Sequence, residues 1–184
     1  MKSSGIKTST VLASFLLAAC LSMHAEVKLP AIFSDGMVMQ QQTNANLWGM
    51  ATPNKKVTVT TGWNGKQYAV TADKNGSWKL SVSTPEAGGP YTITFDDGTP
   101  KTLNNILIGE LWLCSGQSNM EMPMKGFKNQ PVENANMDIL RSKNPHIRLF
   151  TVKRTSTITP QNDVVGSWKE AAPVSVRDFS ATAY

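Results

Sequence analysis

The residue of this chain best placed by its neighbours to do chemistry is Ser118. It lies in Gly116-Gln117-Ser118-Asn119-Met120, directly after the apolar run Ile106-Leu107-Ile108-Gly109-Glu110-Leu111-Trp112-Leu113. A hydroxyl delivered to a glycine-bearing turn at the carboxyl end of a buried strand is how α/β hydrolytic folds expose a nucleophile for acyl transfer. Gly116, Gln117 and Asn119 are then the residues that shape the turn or touch a substrate. The turn is not the Gly-x-Ser-x-Gly elbow, because Met120 stands where that motif has its second glycine. Glycine, glutamine, serine and asparagine are also common turn residues, and on their own these five would read as an ordinary loop. Their position, after an apolar strand and before a crossover, gives them weight.

The other reactive side chains are weaker candidates. Cys114 sits within Leu111-Trp112-Leu113-Cys114 with no basic residue nearby to lower its pKa, so it reads as a buried small hydrophobe rather than a nucleophile. The two histidines are His24 and His146. His146 follows Asn144-Pro145 at the wrong end of its expected strand for a catalytic group and reads as a surface or structural residue. Two histidines and two cysteines without ligand spacing make no metal site, and no glycine-rich phosphate loop occurs. No cofactor is expected.

The chain must also build what holds Ser118. Its 184 residues, 40% of them hydrophobic, suffice for one medium domain or two small ones. Residues 1–20 read as an export signal. Lys2 and Lys7 form a positive start, residues 11–19 an apolar stretch too short to span a bilayer, and Leu17-Ala18-Ala19-Cys20 resembles a lipobox with Cys20 as the lipidation site. A plain signal cut after Ala19 or Ala25 is the alternative. The expected location is periplasm or cell envelope, with a lipid anchor as the only membrane contact, or outside the cell. Without Lys2 and Lys7, sixteen basic residues face thirteen acidic ones, with no basic block or helix face, so nucleic acid is not an expected partner. The oligomeric state is left open.

Residues 27–105 read as an antiparallel β-sandwich. Val57-Thr58-Val59-Thr60-Thr61, Gln67-Tyr68-Ala69-Val70-Thr71, Trp78-Lys79-Leu80-Ser81-Val82 and Tyr91-Thr92-Ile93-Thr94-Phe95 are short, β-branched or aromatic, and alternate. Asn64-Gly65, Asn75-Gly76 and Asp96-Asp97-Gly98 are the expected hairpin turns. Trp48, Trp63 and Trp78 read as core or sheet-face residues in preference to sugar-stacking platforms. From residue 106 the pattern changes. The run over 106–113 predicts a strand covered on both faces, as in a parallel sheet. A helix over 131–141 follows, with Val132, Ala135, Ile139 and Leu140 on one stripe, and then a parallel strand over 147–152. A last helix is expected to begin at Asp178.

Several segments in order resemble a known family. Leu29-Pro30-Ala31-Ile32-Phe33-Ser34-Asp35-Gly36-Met37-Val38-Met39-Gln40, Asn75-Gly76-Ser77-Trp78 and Gly88-Gly89-Pro90-Tyr91 match its β-domain. Residues 109–120 match its serine block, and Ile147-Arg148-Leu149-Phe150 and Phe179-Ser180-Ala181 match downstream segments. The chain resembles the N-terminal part of a bacterial sialate O-acetylesterase of the SGNH (GDSL-like) hydrolase superfamily. The resemblance implies a mixed fold, a β-sandwich followed by a flavodoxin-like α/β hydrolase domain over 106–184. It implies Ser118 as nucleophile and backbone oxyanion donor, and O-acetylated sialic acid or another acetylated sugar as substrate. It also implies a histidine base from an Asp-x-x-His block, which this sequence does not contain. The expectation is therefore a hydrolase domain cut short, with doubtful activity on its own. A non-catalytic carbohydrate-binding or cell-envelope protein is the alternative.

Overall fold

Alternation decides the first half of the molecule. In β3 (Lys56–Thr61) Val57 and Val59 are fully buried while Thr58 and Thr60 face outward, and in β5 (Ser77–Ser83) Trp78 and Val82 point in between exposed serines and Lys79. A two-residue period puts one face of each strand on the core and the other in water. The computed structural model describes residues 26–184. The export signal, Cys20 and His24 lie outside the described residues.

Seven strands form two sheets. β1 (Val38–Gln40), β7 (Lys101–Gly109), β6 (Gly88–Asp96), β3 and β4 (Gln67–Thr71) make a five-stranded sheet in that order, and β2 (Asn44–Met50) pairs with β5 over seven residues. Pairing is antiparallel except for β1 beside β7. One core joins the sheets: Leu47, Trp78 and Val82 from the smaller one share a cluster with Val57, Val59, Ile93, Phe95, Ile106 and Ile108.

All four strands expected before residue 105 are present. Asn64-Gly65 closes the β3–β4 hairpin, with Asn64 Oδ1 accepting from Thr61 Oγ1 and Lys66 N, and Asp96-Asp97-Gly98 closes β6–β7. Asn75-Gly76 does otherwise. It carries the chain from β4 in one sheet to β5 in the other, with Gly76 at φ +84° and Asp73 Oδ1 accepting from Asn75 N and Ser77 N. An Asn-Gly signal fixes a reversal of direction; which strands then pair is decided by their buried faces. Trp78 is core; Trp48 is half-buried edge-on to Phe33, and Trp63 edge-on to Tyr91 with its indole N–H donating to Ser83 O at 3.1 Å.

Beyond residue 105 the structure corrects four element readings. The apolar run over 106–113 is split. Ile106, Leu107 and Ile108 complete β7 between β6 and β1, so the sheet already present buries them. Residues 110–117 have no regular pairing; Trp112 and Leu113 are 81% and 94% exposed, and Cys114 is exposed rather than buried. A run of apolar residues reports a preference for burial, and among the described residues no strand lies beside 110–113 to satisfy it.

The helix α2 covers Ala135–Arg141, beginning after Pro131, and leaves Leu140 of the expected stripe 68% exposed. The next strand, β8 (Asn144–Phe150), pairs antiparallel with β9 (Trp168–Ala171), not parallel to β7. The last helix, α3, is Pro173–Val176: proline pre-sets the first turn, and Ser175 Oγ accepts from Ala172 N at 3.0 Å. Asp178 caps nothing, because the backbone after α3 turns its hydrogen bonds to residues 122–125 instead. Met124, Leu149, Ala171 and Val176 form a second, smaller core with Ile139, Phe179 and Ala181 against it.

Candidate active site

Ser118 opens α1 (Ser118–Glu121), a single turn whose first carbonyl acceptor is Gln117 O, taking Met120 N at 3.0 Å and Glu121 N at 3.3 Å. The first N–H groups of a helix have no partner inside it. Among the described residues, the N–H groups of Ser118 and Asn119 and the Ser118 hydroxyl make no hydrogen bond, and Gly116, Gln117, Ser118 and Asn119 are all exposed. A side chain at Gly116 would press on Met120, whose Cβ lies 3.3 Å from where a Cβ would stand. The Gln117 side chain caps nothing.

Two supports hold this exposed turn. The upstream one is polar. Glu110 accepts from Gln40 Nε2 at 3.0 Å and Gln41 Nε2 at 2.6 Å, while Gln40 Oε1 accepts Leu111 N at 2.9 Å and Gln41 N donates to Gly109 O at 2.8 Å. The Gln40 and Gln41 amides hold the Glu110 carboxyl below the usual glutamate range. The chain is thus pinned to β1 as it leaves β7.

The downstream support is backbone pairing with the segment after α3. Ala181 N donates to Met122 O at 2.8 Å, Met124 N to Phe179 O at 2.9 Å and Lys125 N to Arg177 O at 3.0 Å. Thr182 Oγ1 donates to Asn119 O at 3.0 Å, reaching the serine turn itself, and Ser180 Oγ lies 3.3 Å from Met120 S. Lys125 pairs with Asp178 and holds its carboxyl below the usual aspartate range. The sequence singles out Phe179-Ser180-Ala181, and Asp178 as a helix start, but not Thr182 or Lys125, nor the pairing of Lys125 with Asp178. Their partners sit more than fifty residues away, and no periodic pattern announces such a pairing.

His146 is exposed on β8, its N–H donating to Asn144 Oδ1 at 2.9 Å, and among the described residues it makes no hydrogen bond to Ser118. No three metal-ligating side chains cluster among the described residues.

No family model matches the chain. Over 150 residues it is 33% identical to mouse sialate O-acetylesterase, a match covering 74% of this chain and 27% of that protein. The human sialate O-acetylesterase matches at 28% over 148 residues, covering 75% of this chain and 28% of that protein. The chain is a homologue of the sialate O-acetylesterases. The crystal structure of a carbohydrate acetylesterase from Xanthomonas citri superposes with a TM-score of 0.79 at 30% identity, covering 86% of this chain and 36% of that one. The likeness to that carbohydrate acetylesterase therefore takes in most of the present fold. This sialate O-acetylesterase homologue spans about a quarter of the length of the curated relatives it matches.

Proposed function

We propose that this chain carries the nucleophile of a carbohydrate O-acetylesterase, with Ser118 taking the acetyl group from O-acetylated sialic acids or related sugars. The observation that carries the reading is the placement of Ser118. Its hydroxyl is exposed and unbonded, yet its backbone is fixed from both sides by Gln40, Gln41 and Glu110 and by Thr182 and residues 177–181. A nucleophile needs that combination of access and fixed geometry. In the proposed step a histidine takes the Ser118 hydroxyl proton as Oγ attacks the acetyl carbonyl, the Ser118 N–H donates to the developing oxyanion, and the sugar oxygen departs with that proton as the C–O ester bond breaks. Water then attacks the acetyl-enzyme and releases acetate. By family resemblance that histidine belongs to an Asp-x-x-His block, and the sequence given contains none.

The same proposal divides the chain into a small β-sandwich and a stretch of SGNH hydrolase fold, with the junction at the end of β7. It places the protein in the periplasm or cell envelope, on the strength of Lys2, Lys7, residues 11–19 and Cys20.

The test is acetylation itself. After incubation with p-nitrophenyl acetate or an O-acetylated sialic acid, mass spectrometry of the peptide containing residues 116–122 should locate one acetyl group on Ser118, absent in Ser118→Ala. Ester cleavage that persists unchanged in Ser118→Ala would overturn the assignment. Sugar binding without any acetyl transfer would favour a carbohydrate-binding role.

A further inference from the structure

The pairing of β6 with β7 slips between Tyr91↔Ile106 and Ile93↔Leu103, so Asn104 and Asn105 together oppose Thr92 and β7 bulges. Asn105 takes φ +58°, in the left-handed region. Asp35 Oδ1 accepts Asn104 N at 2.7 Å, and Gly36 N donates to Asn104 O at 3.0 Å.

Arg148 closes on this bulge from β8. Its side chain is 2% exposed. Nη2 donates to Asn105 Oδ1 at 3.0 Å and lies 3.3 Å from Glu170 Oε1, while Nη1 donates to Pro145 O. Asn105 Nδ2 donates to the same Glu170 oxygen at 3.2 Å, closing a triangle of three side chains from β7, β8 and β9. Arg148 Nε, on the side facing Gly36, is buried without an acceptor. Burying a guanidinium is costly and leaving one donor unmet adds to the cost, so this arrangement does not recommend itself as a source of stability. What a planar guanidinium supplies is fixed geometry: with Nη1 held by Pro145 O, Nη2 reaches both Asn105 and Glu170.

Those acceptors lie on the two supports of Ser118. Asn105 stands four residues before Gly109, where β7 passes into the clamp of Gln40, Gln41 and Glu110. Glu170, in β9, has its carbonyl capped by Ser175 Oγ, and α3 then delivers residues 177–181 to the backbone of residues 122–125. Arg148 is bonded to both branches.

We propose that Arg148 is a positioning residue for Ser118, setting the upstream support relative to the downstream one by forking Asn105 and Glu170. The proposal rests on the reading of Ser118 as the nucleophile. Its test does not require turnover: hydrogen exchange of the intact chain by mass spectrometry reads backbone positioning directly. Failure here would leave the acetylation result standing, and failed acetylation would leave the exchange result standing.

Arg148→Met should speed exchange on the order of a hundredfold over residues 168–171 and, decisively, over residues 122–125, with β3 and β6 unchanged. Should that variant not fold, Asn105→Gly carries the test, because glycine accepts the positive φ while removing the amide from the fork. It should produce the same pattern. Arg148→Lys keeps the charge but not the fork and should exchange as fast as Arg148→Met over residues 122–125. Acceleration confined to β8 and β9, no acceleration in either variant, or slow exchange restored by lysine would each overturn the proposal.

Discussion

Met124→Ala tests whether the serine turn is held by a part of the fold that can loosen on its own. Met124 is 5% exposed in the second core, with Leu149, Ala171 and Val176, and its backbone N–H donates to Phe179 O. Among the described residues that core has four buried apolar side chains, and the one between the two sheets has sixteen. Burying a large apolar side chain stabilises by about 1.5–3 kcal/mol, so Met124, Leu149 and Val176 together supply roughly 5–9 kcal/mol before the entropy of ordering is subtracted. Truncating a buried methionine costs about 2–5 kcal/mol, with a value near the lower end expected where half-buried neighbours such as Phe179 can collapse inward. A loss of that size removes a large share of what the small core supplies and little of what the large one does. The assay is urea unfolding followed by residue-resolved hydrogen exchange. The variant should lose protection at Met124, Lys125 and Ala181 at urea concentrations where Val59 and Phe95 remain protected. Parallel loss of protection at all of these amides would show one cooperative unit and refute the reasoning.

Two further outcomes follow from the geometry. Gly76 has φ +84°, and a Cβ there would stand 2.5 Å from Ala51 O, so Gly76→Ala should destabilise the β4–β5 crossing by at least about 1–2 kcal/mol; an unchanged urea midpoint would contradict this. Glu110 is held below the usual glutamate range by Gln40 first and Gln41 second, so the clamp's contribution is complete above that range and is lost as pH falls through the lowered folded value. In an acid titration the Leu111 amide resonance should move with a midpoint below that of free glutamate, and Glu110→Gln should abolish the movement; a midpoint at or above the free value would refute the clamp.

The parts of the fold written in local pattern were legible. Alternation over 57–61, 67–71, 78–82 and 91–95 specified four strands because each lies at a boundary between core and water. The apolar run over 106–113 was ambiguous for the opposite reason: continuous apolar character says that a strand is covered without saying by what. Its first part is covered by β6 and β1 of the preceding sheet, and the pairing of β8 with β9 likewise depends on a partner that β8 does not encode. At the site, the five residues of the serine turn stood out only through the apolar run that precedes them. The bond from Thr182 and the pairing of Lys125 with Asp178 left no such sign, since a threonine donating to a distant carbonyl and one surface ion pair leave no trace in spacing or composition. The left-handed Asn105 and its bulge were equally hidden, because asparagine before an apolar strand is unremarkable until Arg148 is seen to grip it.

Why the turn depends on its supports follows from where burial is concentrated. The large core lies between the two sheets, while Gly116 to Asn119 contribute no buried side chain and α1 is a single turn too short to persist by itself. Backbone hydrogen bonds and side-chain clamps must therefore fix the Ser118 geometry. Each such bond contributes only about 0.5–1.5 kcal/mol net, so no single one can hold the turn, and their effect rests on acting together. Concerted action requires that the frames bearing the two sets of bonds keep a constant separation. Gln40, Gln41 and Glu110 ride on β1 and β7, and residues 177–182 ride on β9 and α3. Trp168 of β9 packs against the large core and its indole N–H donates to Ile32 O at 2.8 Å, which holds the two frames together at one point. Arg148, bonded to β7 and β9 at once, is a second tie, and two ties fix an orientation that one does not.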